Sequence, residues 1–311
     1  MREGWVCRGC KGPPLPWPPL GPCPNCKRYL RHEMVRLRDG ELDGADIEPM
    51  RDGEPMSADA LMAGEEEKDE TKRPSGIAGL DWVFDGGLPR VGTILLAAKE
   101  GSGKTTLLWQ VGQRLSKQKV PTLFESSEQT LRKLRRQFKR LGPCHGMVVH
   151  CAEDKDSLVR AVEKERPEFV VLDSVHHVTN VTDEGGFDVA AGGERAVTII
   201  AKEFNKLAED FGCLVVLVGH MNNDGTMAGG SHLRHAVDAT LTLTRSDDKR
   251  DPKRILEFWG KSRFGDASKR ALFAMNDTGL KDCGPLLNEG ETADPKPLAK
   301  PGLRLVPPED E

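Results

Sequence analysis

Residues 94–106 run from an apolar stretch, Ile94-Leu95-Leu96-Ala97-Ala98, through the turn Lys99-Glu100-Gly101-Ser102-Gly103 into Lys104-Thr105-Thr106. A buried strand that breaks at glycines straight into a helix requires a layered α/β arrangement, in which the strand lies inside a sheet and the helix covers its face. The same spacing makes a phosphate-binding loop: consecutive backbone N–H groups curl around an anion, and the helix that follows points its positive end at the same charge. Lys104 is expected to reach the β- and γ-phosphates of a triphosphate, and the Thr105 hydroxyl to hold Mg²⁺. Gly101, Ser102, Gly103 and Thr106 complete the cradle. The first position of the G-x-x-x-x-G-K-[ST] pattern carries Ala98, and alanine resists positive φ, so a glycine-dependent turn is not expected to form freely there.

The rest of the body alternates short apolar runs with amphipathic segments, which argues for a mostly parallel sheet covered on both faces. Strands are expected at Thr93–Ala97, Pro121–Phe124, Gly146–His150, Phe169–Leu172, Leu214–Val218, Ala239–Leu243, Ile255–Trp259 and Leu272–Met275. The clearest helix is Ala196–Phe211, where Val197, Ile200, Phe204, Leu207, Ala208 and Phe211 recur at helical spacing. No apolar run approaches the roughly 20 residues that span a bilayer, and Met1-Arg2-Glu3-Gly4-Trp5 lacks a secretion signal, so no membrane partner and a cytoplasmic location are expected.

Charge and cysteine are unevenly distributed. Residues 39–73 hold 13 acids and 4 bases, a balance of -9 within a whole-chain charge of -4, which leaves the remainder near +5. Cys7, Cys10, Cys23 and Cys26 form C-x2-C-x12-C-x2-C, a spacing that presents four thiolates tetrahedrally to one structural Zn²⁺. Between them Pro13, Pro14, Pro16, Pro18 and Pro19 cannot pack a core, so metal would supply most of the folding free energy. The expected organisation is therefore a zinc ribbon over 1–35, an acidic flexible linker over 36–72, an ATPase domain over 73–285 and a proline-rich tail over 286–311.

Hydrolysis at a phosphate loop needs a carboxylate at the end of a buried strand, and Phe169-Val170-Val171-Leu172-Asp173 supplies Asp173 to hold Mg²⁺ through water. Glu128, just past the strand ending in Leu123-Phe124, suits a general base for the attacking water, with Glu125 its nearest competitor. Arg132 to Arg140 is the densest basic cluster. Leu131, Leu134, Phe138 and Leu141 give it a stripe expected to be buried, which makes the bases a solvated face.

Taken together, these features resemble the bacterial RadA/Sms family of RecA-like ATPases. Besides the zinc knuckle, the resemblance rests on Leu80-Asp81 ahead of Gly86-Gly87-Leu88, on Glu125 to Gly142, on Gly219 to Gly225 with Ala228-Gly229-Gly230 and His235 to Asp238, and above all on Lys261-Ser262-Arg263-Phe264-Gly265, close to the family's K-N-R-F-G. It spans about residues 5–35 and 73–282. Ser262 and Ala98 depart from the pattern, the linker is longer, and the family's C-terminal Lon-protease-like domain has no counterpart here.

The resemblance implies a RecA-like P-loop core with a small N-terminal zinc ribbon, using ATP, Mg²⁺ and Zn²⁺. It implies a homo-oligomeric ring or filament that remodels single-stranded DNA, drives branch migration, and takes a recombinase as a further partner. Lys261 and Arg263 would enter the neighbouring subunit's ATP site, and His220 would sense the γ-phosphate and pass its state to a DNA-facing loop containing Asn222, Asn223 and Gly225. A second such loop would be Thr179–Gly193. With only 5% aromatics, glycine-rich backbone rather than base stacking is expected to meet the DNA. The alternatives are a nucleotide-gated oligomeric regulator like the clock-protein branch, or a DnaB-like helicase.

Overall fold

The computed structural model describes residues 2–7, 32–37, 72–183, 185–222, 226, 230–246, 248 and 250–287, with backbone alone for 2–7, 32–37, Ser231 and Lys261. Near the N-terminus, β1 (Arg2–Cys7) pairs antiparallel with β2 (His32–Leu37), Cys7 lying opposite His32. The second strand runs past the boundary expected at residue 35. Cys10, Cys23 and Cys26, the linker from 38 to 71 and the tail from 288 lie outside the described residues.

The body is built from α1 (Ala78–Val83), β3 (Gly92–Ala98), α2 (Lys104–Lys117), β4 (Thr122–Ser126), α3 (Leu131–Phe138), β5 (Met147–Cys151), α4 (Lys155–Glu165) and β6 (Phe169–Asp173). A small hairpin follows, β7 (Val181–Thr182) with β8 (Asp188–Val189), then α5 (Glu194–Phe211), β9 (Leu214–His220), α6 (Gly230–His235), β10 (Ala239–Arg245), β11 (Lys253–Ser262), β12 (Arg270–Asn276) and β13 (Gly279–Leu286). One nine-stranded sheet has the order β13-β12-β11-β10-β3-β9-β6-β4-β5. The pairs from β10 through β5 are parallel, and β11, β12 and β13 extend the sheet antiparallel. All eight expected strands are present; β1, β2, β7 and β8 are additional to them, as is β13, whose alternation is weak and interrupted by Gly284 and Pro285.

Alternation along the central strands divides the core in two. Ile94, Leu96 and Ala98 of β3 face a cluster with Leu107, Leu108 and Val111 of α2 and Leu134 and Phe138 of α3. Leu95 and Ala97 face the other side, against Leu158 and Val162 of α4 and Val197, Ile200 and Phe204 of α5. A helix stripe on each face is what the continuous apolar strands required. Trp109 stacks on Phe138 at 3.9 Å between ring centroids and meets Phe124 edge-on at 5.3 Å, pinning α3 to the sheet. Leu131 does not share that burial. It is 56% exposed at the first turn of α3, and Leu141 is only partly covered, so the expected four-residue stripe shrinks to Leu134 and Phe138. Among the described residues, no helix is long and apolar enough to cross a membrane.

Candidate nucleotide site

The loop between β3 and α2 takes its shape from two glycines. Gly101 has φ 72° and Gly103, which caps α2, has φ 104°; both lie in the left-handed region that side chains resist. A Cβ on Gly103 would stand 2.5 Å from Met275 Cε, the mobile end of a flexible side chain, so it is the backbone torsion that demands glycine there. Ala98 needs no such freedom. It is the last residue of β3, in ordinary strand geometry, and the expected strain at this position does not arise because the turn begins after it.

Lys104 Nζ donates to the Ala98 carbonyl at 2.8 Å, inside a loop where burial lowers the lysine's pKa. Thr105 Oγ1 donates to Asp173 Oδ2 at 2.6 Å. Asp173 stands at the end of β6 with its side chain buried. Burial pushes its pKa up to about 6, with Glu128 adding to the rise while the Thr105 hydrogen bond, Lys104 and His177 oppose it. A hydroxyl and a buried carboxylate converging at the mouth of a phosphate loop are the oxygen donors that Mg²⁺ takes, so these residues fit that ion.

Glu128 is exposed on the segment after β4, its Oε2 3.9 Å from His220 Nε2. Burial, then the repulsion exerted by Lys104 and, once protonated, by His176 and His177, holds His220 down to about 4, so the imidazole is neutral at neutral pH. Glu125 faces elsewhere. It is fully buried in β4, 3.5 Å from His150 Nδ1 on β5, with its carboxylate oxygens lacking hydrogen bonds and its pKa raised by burial to about 7. Its parity with Leu123 puts it on the α4/α5 face of the sheet, away from α2. Of the two acids, Glu128 stands near the loop, where its charge acts on Lys104 and Asp173, and Glu125 faces His150 on the other side of the sheet.

The Lys261–Gly265 segment lies at the other end of the sheet. Arg263 Nη1 donates to Asp238 Oδ1 at 2.7 Å, and Asp238 Oδ2 accepts from the backbone N–H of Thr93 at the start of β3. Phe264 packs over Gly92, where a Cβ would sit 2.6 Å from the ring. Lys261 lies in β11. The length of β3 separates Arg263 from the phosphate loop of its own chain, roughly 20 Å at about 3.3 Å per residue.

Several residues at the site carry no sequence motif. Arg254, buried in β11, donates from Nε to the Ser102 carbonyl at 3.0 Å and so braces the loop from the antiparallel extension. Arg245, at the end of β10, would lie 3.3 Å from a Cβ on Gly101. The available signal was a charged residue inside an otherwise apolar strand. Ser127 Oγ donates to the Ser174 carbonyl at 2.5 Å and accepts from the Ser174 N–H, tying the end of β4 to the end of β6.

Of the loops expected to face DNA, Thr179–Gly193 holds the β7/β8 hairpin, closed by Asp183 accepting from the N–H groups of Gly185 and Phe187 and from Arg195. Phe187 at its tip is 73% exposed, an aromatic surface that the low aromatic content concealed. In the second loop Asn222 bonds Thr226 through both backbone and side chain, while Asn223 and Gly225 lie outside the described residues. Arg140, from the basic cluster, donates to the Asp277 carbonyl, so one of its cations fastens α3 to the β12–β13 turn.

A family model described as an AAA domain matches residues 65–226. The chain is 30% identical over 310 residues to the DNA repair protein RadA of Mycolicibacterium smegmatis, covering 98% of this chain and 64% of that protein. RadA of Haemophilus influenzae is 27% identical over 282 residues, covering 90% and 59%. The chain thus spans less than two thirds of the length of these relatives. A KaiC-like protein of Pyrococcus horikoshii OT3 shares the fold with a TM-score of 0.56 at 20% identity, over 70% of this chain and 99% of that one.

Proposed function

The chain belongs to the AAA-domain family, in its RadA branch of RecA-like proteins, and on that premise we propose that it is a Mg²⁺-dependent ATPase of DNA repair that acts on single-stranded DNA as an oligomer. The observation that carries this reading is the meeting of Thr105 and Asp173 at 2.6 Å beside Lys104, which assembles a phosphate cradle and a metal-holding pair from two distant parts of the sequence. Lys104 exchanges its bond to the Ala98 carbonyl for the β- and γ-phosphates. Mg²⁺, held by Thr105 and Asp173, would neutralise charge on the phosphates. Glu128 orients the attacking water and takes its proton, and the neutral His220 beside it registers whether a γ-phosphate is present.

The position of Arg263 supports the oligomeric reading. It cannot reach its own loop, so a cation in its place contributes to hydrolysis only in a neighbour's site, where it stabilises charge on the transferring phosphoryl group. Lys261, near it in sequence, is assigned the same role. At the N-terminus, β1 and β2 bracket the four-cysteine segment and bring its two ends together, which supports a zinc knuckle held by Cys7, Cys10, Cys23 and Cys26.

The test is steady-state ATP hydrolysis with and without single-stranded DNA. Hydrolysis that rises with DNA and is abolished by Lys104→Ala is expected; turnover that survives Lys104→Ala would overturn the site. Hydrolysis with no DNA response and no salt-dependent DNA affinity would favour a nucleotide-gated regulator instead.

A further inference from the structure

Beside the Mg²⁺-holding pair lies a second group of donors of different chemistry. Glu128, His177 and His220 each offer one ligand atom, and the three atoms lie within 4.8 Å of one another. They come from three segments, the turns after β4 and β6 and the end of β9. Those after β4 and β6 are locked together by the Ser127–Ser174 hydrogen bonds and by the Ser127 N–H to the Asp173 carbonyl at 2.9 Å. His177 Nδ1 is paired with Ser174 Oγ at 2.9 Å, which orients the ring and leaves Nε2 as its donor, as in many metal-bound histidines. His220 Nε2 is buried without a hydrogen-bond partner and points toward Glu128. A buried ring nitrogen left without a partner costs free energy unless something occupies it.

We propose that Glu128, His177 and His220 form a binding site for a late first-row divalent metal such as Zn²⁺, and that its occupation stops ATP hydrolysis. Two imidazoles and one carboxylate select such an ion over Mg²⁺, which prefers oxygen ligands throughout. The donors need to close by about 1 Å to surround an ion with bonds of about 2.1 Å, a change within the reach of the exposed Glu128 and His177 side chains. Binding takes the Glu128 carboxylate away from the attacking water without displacing Mg²⁺ from Thr105 and Asp173. The inhibitory half rests on the ATPase reading; the binding half does not.

The experiment is equilibrium dialysis of the full chain against Zn²⁺ in excess Mg²⁺, with bound metal counted by elemental analysis, followed by ATPase titration with Zn²⁺. His177 is not among the residues assigned to the nucleotide, to Mg²⁺ or to the attacking water, so its replacement is expected to leave basal turnover intact. Wild type is expected to hold one Zn²⁺ equivalent more than His177→Ala and His177→Gln, because any cysteine-bound zinc is common to all three. Zn²⁺ is expected to lower wild-type hydrolysis at least tenfold and to spare both variants. Equal stoichiometry in wild type and variants overturns the site, and an extra equivalent that leaves hydrolysis unchanged overturns its inhibitory role. A protein that hydrolyses no ATP at all refutes the ATPase reading, while the dialysis still decides the metal site.

Discussion

Replacing Arg263 with alanine separates an intersubunit contribution from a structural one. The Arg263 side chain is 61% exposed and its partner Asp238 keeps the Thr93 N–H, so the lost ion pair costs at most about 1 kcal/mol of stability. That is too little to unfold the domain. If Arg263 acts as a cation in trans, hydrolysis should fall about a thousandfold, the lower range for such a residue. Mixing Arg263→Ala with Asp173→Asn then gives a number. A working site needs its own Asp173 and a neighbour's Arg263; in a randomly assembled equal mixture this combination arises at about one site in four, the product of two halves. The mixture should therefore recover about a quarter of wild-type turnover, although each variant alone is inactive. The measurement is ATPase rate against mixing ratio, after subunit exchange, with the folded state checked by thermal unfolding. Recovery near zero, with both variants folded and co-assembled, refutes an intersubunit role. So does full activity of Arg263→Ala alone.

Further outcomes can be checked independently. Phe187→Ala should weaken single-stranded DNA binding by about 1–3 kcal/mol, roughly 5- to 150-fold, if the exposed ring stacks on a base; fluorescence anisotropy at fixed salt measures it, and unchanged affinity removes the loop tip from the DNA surface. Arg254→Met should raise the KM for ATP more than it lowers kcat, since it removes support from the Ser102 carbonyl rather than a group touching the reacting atoms; an unchanged KM would separate Arg254 from nucleotide binding. Glu125 titrates near 7 in the fold against an ordinary 4.5, so its ionisation penalises the folded state by up to about 3 kcal/mol above pH 7, and that penalty is relieved as pH falls from 7 toward 4.5. His220, held down to about 4 against an ordinary 6.5, opposes this over the same window, so the readout is a difference: wild type should gain stability relative to Glu125→Gln as pH falls from 7 to 4.5 in urea unfolding. Asp173, raised to about 6, acts in the same direction as Glu125 in both proteins, so it cancels from that difference. Parallel profiles for the two proteins would show that Glu125 is not held as a strained buried acid.

Local chemistry made much of this molecule legible. Glycines that must adopt positive φ, four- to seven-residue apolar runs and a helix with residues at 3.6 spacing announce themselves within a short window, which is why the phosphate loop, the eight strands, α5 and Asp173 could be read directly. Leu131 was misjudged for the converse reason: helical periodicity marks a stripe, but only the neighbouring Trp109 and Phe124 decide how far along α3 that stripe stays covered. The strain expected at Ala98 also depended on where the turn begins, and β3 carries regular geometry through that residue.

The sequence by itself determined the α/β class, the phosphate cradle and the residue types available for hydrolysis, because each follows from torsional preference and hydrophobic period within one segment. Tertiary structure decided which of those residues meet. Crossovers in a parallel sheet bring the ends of β3, β4, β6 and β9 to one edge, so Thr105 finds Asp173, and Glu128 finds His177 and His220, from positions far apart in the chain. The antiparallel return of β11 carries Arg263 to the opposite edge, beyond reach of its own loop. Side-chain chemistry is a local property, whereas distance across a sheet is set by strand order and direction, and those arise only when the whole core packs.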